Sequence, residues 1–344
     1  MESFAGKLAV VTGGGSGMGR ELVRQLAAQG CSVAACDIHG DAVTATAAGA
    51  QDEAPAGVLV TGHTCDVCDE AQVLRFRDEV LEQHDRDHVN LVFSNAGIGG
   101  GGSFVNDSRE EWERTFGTDW WGVYYCARAF VPLLINSDEG VLVNTSSVNG
   151  LWASLGPGAP HTAYAAAKFA VRGFSEALIE DLRTNAPHVK VALVLPGHVG
   201  TDIIVNTLRA HGQPTAQTMS QAELDQARAK MIEAGMDIEG QSDGELRQTI
   251  AGLTAQFKEK APVSAAQAAT IILDAVRAGS WRILIGKDAK WLDEHVRADP
   301  EGAYDYDEFF KTAEADFAVA QTQAPPQETQ APPPQTQAPA TPGD

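Results

Sequence analysis

The chain lacks any run near the ~20 apolar residues that a bilayer-spanning helix needs, so no membrane span is expected. Its N-terminus shows no basic region leading into an apolar stretch and a small-residue cleavage site. A cytoplasmic protein is the expectation. Positive charge is scarce: 25 Lys and Arg stand against 46 Asp and Glu, for a formal net charge of −21. So acidic a surface repels phosphate backbones and anionic lipid, which argues against nucleic acid or a membrane as partner. Metal-ligand spacings are missing as well. Five cysteines include one CxxC, Cys65 and Cys68, with no second pair to complete four ligands, and the nine histidines form no HExxH. Cys65 and Cys68 read as packing residues rather than a redox pair or half a zinc site, and no metal is expected.

What the chain does have is alternation. Of its 344 residues, 44% are hydrophobic. Apolar runs at 7–12, 32–37, 58–64, 89–94, 140–146, 189–195 and 281–285 suit buried parallel strands. Helical patterns lie between them: one over 17–29 stops at Gly30, one opens on a capping box at Ser108 and Glu111, and a long one carries Tyr164 to about residue 183. This repetition predicts an α/β doubly wound parallel sheet, a Rossmann fold, as one domain over residues 1–300.

Between 201 and 262 the strand signal disappears. Capping boxes at Ser220/Glu223 and Ser242/Glu245 predict helices there. The segment follows the sixth strand, at the carboxyl end of the sheet where ligands bind. It reads as a helical substrate lid, the alternative being a hairpin that packs on the core or a neighbouring subunit. Residues 301–320 read as a helical extension. Residues 321–344 repeat TQAPP-like units with little apolar bulk, which predicts a disordered tail, solubilising rather than docking.

Chemistry concentrates in a few places. Tyr164 and Lys168 are four apart, on one face of a helix. A lysine cation near a phenol favours the phenolate, making a general acid or base of it. The TGGGSGMG turn between the first strand and first helix, with Gly13, Ser16, Gly17, Met18 and Gly19, suits a pyrophosphate at a helix N-terminus. Asp37, ending the second strand, can accept from ribose hydroxyls and repels a 2′-phosphate; Ile38 and His39 after it bring no arginine. NAD is therefore favoured over NADP. Asp66 and Val67 could meet the adenine, and Asn95, Ala96 and Gly97 could line the middle of the cofactor.

With those residues placed, the chain resembles the short-chain dehydrogenase/reductase family over roughly residues 5–300. The resemblance rests on TGGGSGMG, Asp37, Asp66, SNAG at 94–97, NTSSVNG at 144–150, YAAAK at 164–168 and PGHVGT at 196–201. It implies Tyr164 as catalytic acid/base, Lys168 as the residue that lowers its pKa and holds the nicotinamide ribose, and Ser147 as a hydrogen-bond partner of the substrate oxygen. It also implies nicotinamide contacts from Pro196, Gly197, Val199 and Thr201, and a homodimer or homotetramer built on the long helices.

Two departures stand out. Where the family completes a catalytic tetrad with asparagine, this chain has Asp119. An ionised aspartate only accepts. It could hold the lysine or its water, or disfavour the phenolate by like charge. The segment from Ser147 to Tyr164 is also longer than usual, so Trp152, Leu155 and His161 could reach the substrate; His161 reads as a helix-start residue rather than a catalyst. The function expected is NAD-dependent interconversion of an alcohol and its ketone, the small-molecule substrate being a hydrophobic secondary alcohol in a pocket supplied by Trp120, Trp121, Trp152 and the 201–262 segment. The alternatives are an NADP-linked ketoreductase and an NAD-binding regulatory protein impaired in turnover.

Overall fold

The segment Leu8–Thr12, sequence LAVVT, is buried at every position and forms β1. A strand apolar on both faces belongs inside a sheet covered on both sides. That is its place in the computed structural model, which describes residues 1–233 and 236–322. β2 (Ser32–Asp37), β3 (Val60–Thr64), β4 (Leu91–Ser94), β5 (Gly140–Thr145) and β6 (Val189–Pro196) follow in the same sheet. β7 (Val199–Gly200) and β8 (Val263–Ser264) pair apart as a short parallel ladder, and β9 (Arg282–Ile285) returns to the main sheet. The spatial order is β3-β2-β1-β4-β5-β6-β9, and every neighbouring pair is parallel. The expected doubly wound sheet is present, with strand starts moved by one or two residues.

Side chains alternate across β1 because the strand period is two. Ala9 and Val11 join one core with Leu22, Val23 and Leu26 of α1 (Gly17–Ala28), Val43 of α2 (Gly40–Glu53) and later helical residues from Ala268 to Val276. Leu8 and Val10 face the other core, with Val73, Phe76 and Val80 of α3 (Glu70–His84) and with Cys126, Phe130 and Leu134. Burial of this kind contributes about 25 cal/mol per Å² of apolar surface, so the two cores hold the sheet rigid beneath its loops.

The chain runs outward from β1 to β3, then returns to β4 beside β1. The carboxyl ends of β1 and β4 therefore flank the switch point where open α/β sheets bind ligands. After β4 comes α4 (Arg109–Phe116), whose N-cap Ser108 accepts from the Glu111 backbone. Glu111 does not complete a capping box; its carboxylate accepts from Gly101 N instead. A π-helical turn, Gly117–Trp121, then leads into α5 (Gly122–Ile135). Such turns insert a residue into a helix and are frequent at functional sites; this one carries Asp119. The long helix α6 (Thr162–Asn185) carries Tyr164 and Lys168.

The 201–262 segment holds α7 (Ile203–Ala210), α8 (Gln221–Glu233) and α9 (Asp243–Glu259). Leu224, Ile238 and Leu246 form a small cluster of their own with Met219, Met231, Ile232 and Ile250. α10 (Ala265–Arg277) opens on an unanticipated capping box, Ser264 with Gln267, and α11 (Lys287–Ala298) follows β9. Met1–Asp299 is one compact unit; the second, from Pro300, contains α12 (Tyr306–Thr322) among its described residues. The expected disordered tail lies, from residue 323 on, outside the described residues. Among the described residues no helix is long and apolar enough to cross a membrane.

Candidate active site

A cavity of about 690 Å³ opens at the carboxyl ends of the strands. Its first wall is the glycine turn. Gly13 and Gly17 take φ of +69° and +52°, which side chains rarely adopt. A Cβ on Gly13 would press against the Ala96 backbone at 2.9 Å, and one on Gly19 would overlap the Gly13 carbonyl. Thr12 Oγ1 accepts from the amides of Asn95 and Ala96, both at 3.0 Å, and Asn95 Nδ2 donates to Thr12 O at 3.1 Å. These bonds join the two loops at the switch point. Asn95 Oδ1 is buried and has no partner among the described residues.

Asp37 is held by its neighbours: Oδ2 accepts from Gly15 N and Oδ1 from His39 N, both at 3.0 Å. A carboxylate so fixed presents a defined negative edge to the cavity. Asp66 pairs with Arg114 at 2.8 Å and accepts from Cys68 N at 3.0 Å. Ser16, Met18, Ile38, Val67 and Gly97 also line this cavity; Gly19 packs beneath it. The glycine cradle, the start of α1 and the Asp37 carboxylate fit a nicotinamide dinucleotide.

The far end follows β5 and β6. Ser147 Oγ accepts from Asn149 N at 3.1 Å, capping a short turn at Val148–Gly150. Ser146 Oγ donates to the Lys168 carbonyl at 2.7 Å, which docks that turn on α6; a Cβ on Gly150 would collide with both. Ser147 and Tyr164 line the cavity together. Lys168 Nζ lies 5.3 Å from the Tyr164 ring centroid and donates to Thr145 O at 3.2 Å. Pro196, Gly197, Val199 and Thr201 line the cavity beyond β6.

Asp119 is fully buried and sits behind the cavity wall, 2.7 Å from Lys168 Nζ. Its Oδ2 accepts from Ile98 N at 3.3 Å. A Cβ on Gly97 would sit 2.7 Å from its Oδ1, so the glycine makes room for the carboxylate. Burial raises the Asp119 carboxyl above its ordinary range, against the pull of Lys168. Burial lowers Lys168, but Asp119 and Tyr164 outweigh it and leave the ammonium above its ordinary value. Burial pushes the Tyr164 phenol up; Lys168 opposes this, Asp119 reinforces it, Ser147 opposes it, and the net direction is upward. From the sequence, the lysine is expected to lower the phenol. It does pull downward, but burial and the carboxylate it is paired with prevail.

α7 roofs the cavity with Ile203, Ile204 and Leu208, joined by Ile98, Leu155 and Phe257. Thr207 Oγ1 accepts from Gly99 N at 2.7 Å, and Asp202 pairs with Lys258 at 2.9 Å. The tryptophans expected in the pocket are elsewhere. Trp152 is buried in the core; Trp120 packs against the Val123, Leu151 and Val171 cluster; Trp121 is 42% exposed beside Tyr124 and Tyr125. Trp120 and Trp121 lie in the π turn and Trp152 follows the Val148–Gly150 turn, placements that the local sequence does not reveal. His161 does line the cavity, with its ring centroid 4.6 Å from that of Tyr164, and burial pushes its pKa down to about 4, leaving it neutral.

Sequence reasoning misses Arg114, Asn206, Thr207 and Asp288. Asp288 Oδ2 accepts from His198 N at 2.6 Å, and its carboxylate occupies the space a side chain on Gly197 would need. Only the Arg114–Asp66 charge pair has any signal, and that is hidden by separation along the chain. All five cysteines are free, and among the described residues no His, Cys, Asp and Glu cluster could hold a metal ion.

The chain matches the short chain dehydrogenase family over residues 7–211. The SadH protein of Mycobacterium tuberculosis is 38% identical over 213 residues, 62% of this chain and 74% of that one. Among solved structures, a short chain dehydrogenase/reductase from Burkholderia phymatum in complex with NAD is 26% identical, with a TM-score of 0.65 over 96% of this chain and all of that one. A metagenomic short-chain oxidoreductase in complex with NADP is 29% identical, with a TM-score of 0.50 over 60% of this chain and 91% of that one.

Proposed function

The chain belongs to the short chain dehydrogenase family and is an NAD(P)-dependent oxidoreductase, and we propose that it interconverts a neutral, apolar secondary alcohol and its ketone with NAD. The observation that carries this is that Ser147 and Tyr164 face the same cavity as the glycine turn and Asp37. The dinucleotide supplies hydride chemistry when bound.

Gly13, Ser16, Gly17 and Met18 would hold the pyrophosphate, Asp37 the adenosine ribose, and Lys168 with Pro196, Gly197, Val199 and Thr201 the nicotinamide end. Tyr164 exchanges a proton with the substrate oxygen, and Ser147 hydrogen-bonds that oxygen as charge develops on it. Lys168 holds Tyr164 in a defined electrostatic setting. α7 serves as the lid over the substrate.

Charge on the lining supports the substrate class. Among the described residues the only lysine and arginine lining the cavity are Lys168 and Arg114, engaged by Asp119 and Asp66. Asp202 and Asp288 also face it. Among the described lining residues no lysine or arginine is left to meet a carboxylate or phosphate, and the roof is largely apolar. NAD is favoured because the fixed Asp37 carboxylate would repel a 2′-phosphate. A second reading, NADP, draws on Arg209, which lines a smaller cavity of about 180 Å³ with Asp37 and His39. The aromatic face of Trp121, Tyr124 and Tyr125 on the π turn and α5 supports a homo-oligomer built on that side.

The test is Tyr164→Phe against NAD and a panel of neutral secondary alcohols and ketones, with anionic ones as controls. Loss of at least about 100-fold in turnover with the fold intact is expected. Activity that survives nearly unchanged, or a preference for anionic substrates, would overturn the proposal.

A further inference from the structure

We propose that Asp119 is a positioning residue that engages the Lys168 charge and so biases this site toward carbonyl reduction near neutral pH, leaving alcohol oxidation to alkaline solution. This rests on the alcohol–ketone reading and adds its direction.

The geometry is specific. Lys168 and Asp119 form an ion pair of 2.7 Å, the lysine side chain 3% exposed and the aspartate 0%. Lys168 Nζ also donates a hydrogen bond to Thr145 O at 3.2 Å, while Asp119 Oδ1 engages it as an ion pair. The Tyr164 ring centroid, 5.3 Å from the ammonium, is farther than the carboxylate. An asparagine at 119 would leave the lysine as an uncompensated cation beside the phenol. Aspartate instead brings a negative charge of equal size into the same water-poor space, where screening is weak.

The other groups facing this pair do not restore a positive field at the phenol. His161, at the start of α6, lies against the Tyr164 ring and is neutral. Ser147 is uncharged and lines the cavity beside the phenol. His211, after α7, bears electrostatically on Asp119, and its Nε2 is engaged with Thr115 Oγ1 and Gly99 O at 3.2 Å.

The two directions need opposite forms of Tyr164. In reduction its O–H bond breaks and the proton forms a new O–H bond on the carbonyl oxygen, while a reduced nicotinamide dinucleotide gives hydride to the carbonyl carbon. In oxidation the phenolate must exist first, to take the hydroxyl proton as hydride leaves the carbinol carbon for the oxidised dinucleotide. A carboxylate beside the pair penalises the phenolate and keeps the phenol loaded with its proton at neutral pH.

The experiment is a phenolate absorbance titration without substrate, wild type minus Tyr164→Phe, repeated in an Asp119→Asn background. The midpoint is expected to fall by roughly one to two pH units in Asp119→Asn. The alkaline onset of kcat/KM for oxidation should move with it. A role confined to packing would move neither. A midpoint that stays or rises overturns the inference while leaving the alcohol reading standing. Absence of turnover on the whole panel overturns that reading, and this inference with it. If Asp119→Asn does not fold, the wild type still decides: a Tyr164 midpoint below about 8, far under the ordinary phenol value of about 10, overturns the inference.

Discussion

Asn206 on α7 donates a hydrogen bond of 2.9 Å to Ser16 Oγ in the glycine turn. Ser16 is the N-cap residue of α1, yet its hydroxyl caps no backbone amide. It is turned to α7 instead, which this bond joins to the glycine turn, while Thr207 joins α7 to Gly99 after β4. Asn206→Ala should loosen the roof over the dinucleotide. A neutral hydrogen bond contributes about 1 kcal/mol net, so the expected rise in cofactor Kd is about five-fold, carried mostly by faster release. Stopped-flow fluorescence of NADH dissociation measures it, and an unchanged release rate would mean that α7 does not retain the cofactor.

Asp37 offers a test of cofactor choice. Both its oxygens are fixed by backbone amides, so it cannot swing away from a 2′-phosphate. Asp37→Ser is expected to lower kcat/KM for NAD and raise it for NADP, moving the ratio by at least about ten-fold, or about 1.4 kcal/mol. Initial rates with both cofactors measure it. A wild-type preference for NADP would instead favour the Arg209 reading.

Gly197 and Asp288 should be coupled. A methyl group at 197 would occupy the space of the Asp288 carboxylate, itself held on His198 N. Gly197→Ala is expected to destabilise the fold by about 1–3 kcal/mol. The double variant with Asp288→Ala should lose less than the sum of the two single changes, since the second change removes the obstruction. Urea melts of the four proteins complete the cycle, and strict additivity would rule the contact out.

Acid should weaken the fold through partly buried imidazoles. Burial holds His84 and His161 near pKa 4, below the ordinary 6.5. Between those values the unfolded chain takes up protons that the folded chain refuses. Stability from these groups is therefore full above pH 6.5 and falls as the pH drops toward 4. His84→Gln is expected to flatten the decline of Tm across that interval. A slope identical to wild type would place the acid sensitivity elsewhere.

Much of this fold is legible locally. Buried parallel strands announce themselves as continuous apolar runs because both of their faces are covered, and LAVVT at 8–12 is one. Tyr164 and Lys168 are readable as a pair because helical spacing alone puts them on one face. The serine–glutamate pattern at 108–111 misleads in part, since Glu111 has a better use on Gly101 once the chain folds back. The bulk of Trp120 and Trp121 suggests the pocket. Both lie in the π turn itself, and no composition signal marks such a turn.

Strand–helix alternation, the glycine turn and the Tyr164–Lys168 spacing are properties of the local sequence, because they depend on backbone sterics and on periodicities of two and 3.6 residues. Folding in three dimensions is what brings Asp119 to Lys168, sets Asp288 in the space over Gly197, and closes Asn206 onto Ser16. Those partners lie far apart along the chain. Their meeting depends on how helices pack on the sheet, and burial then gives each contact its electrostatic weight.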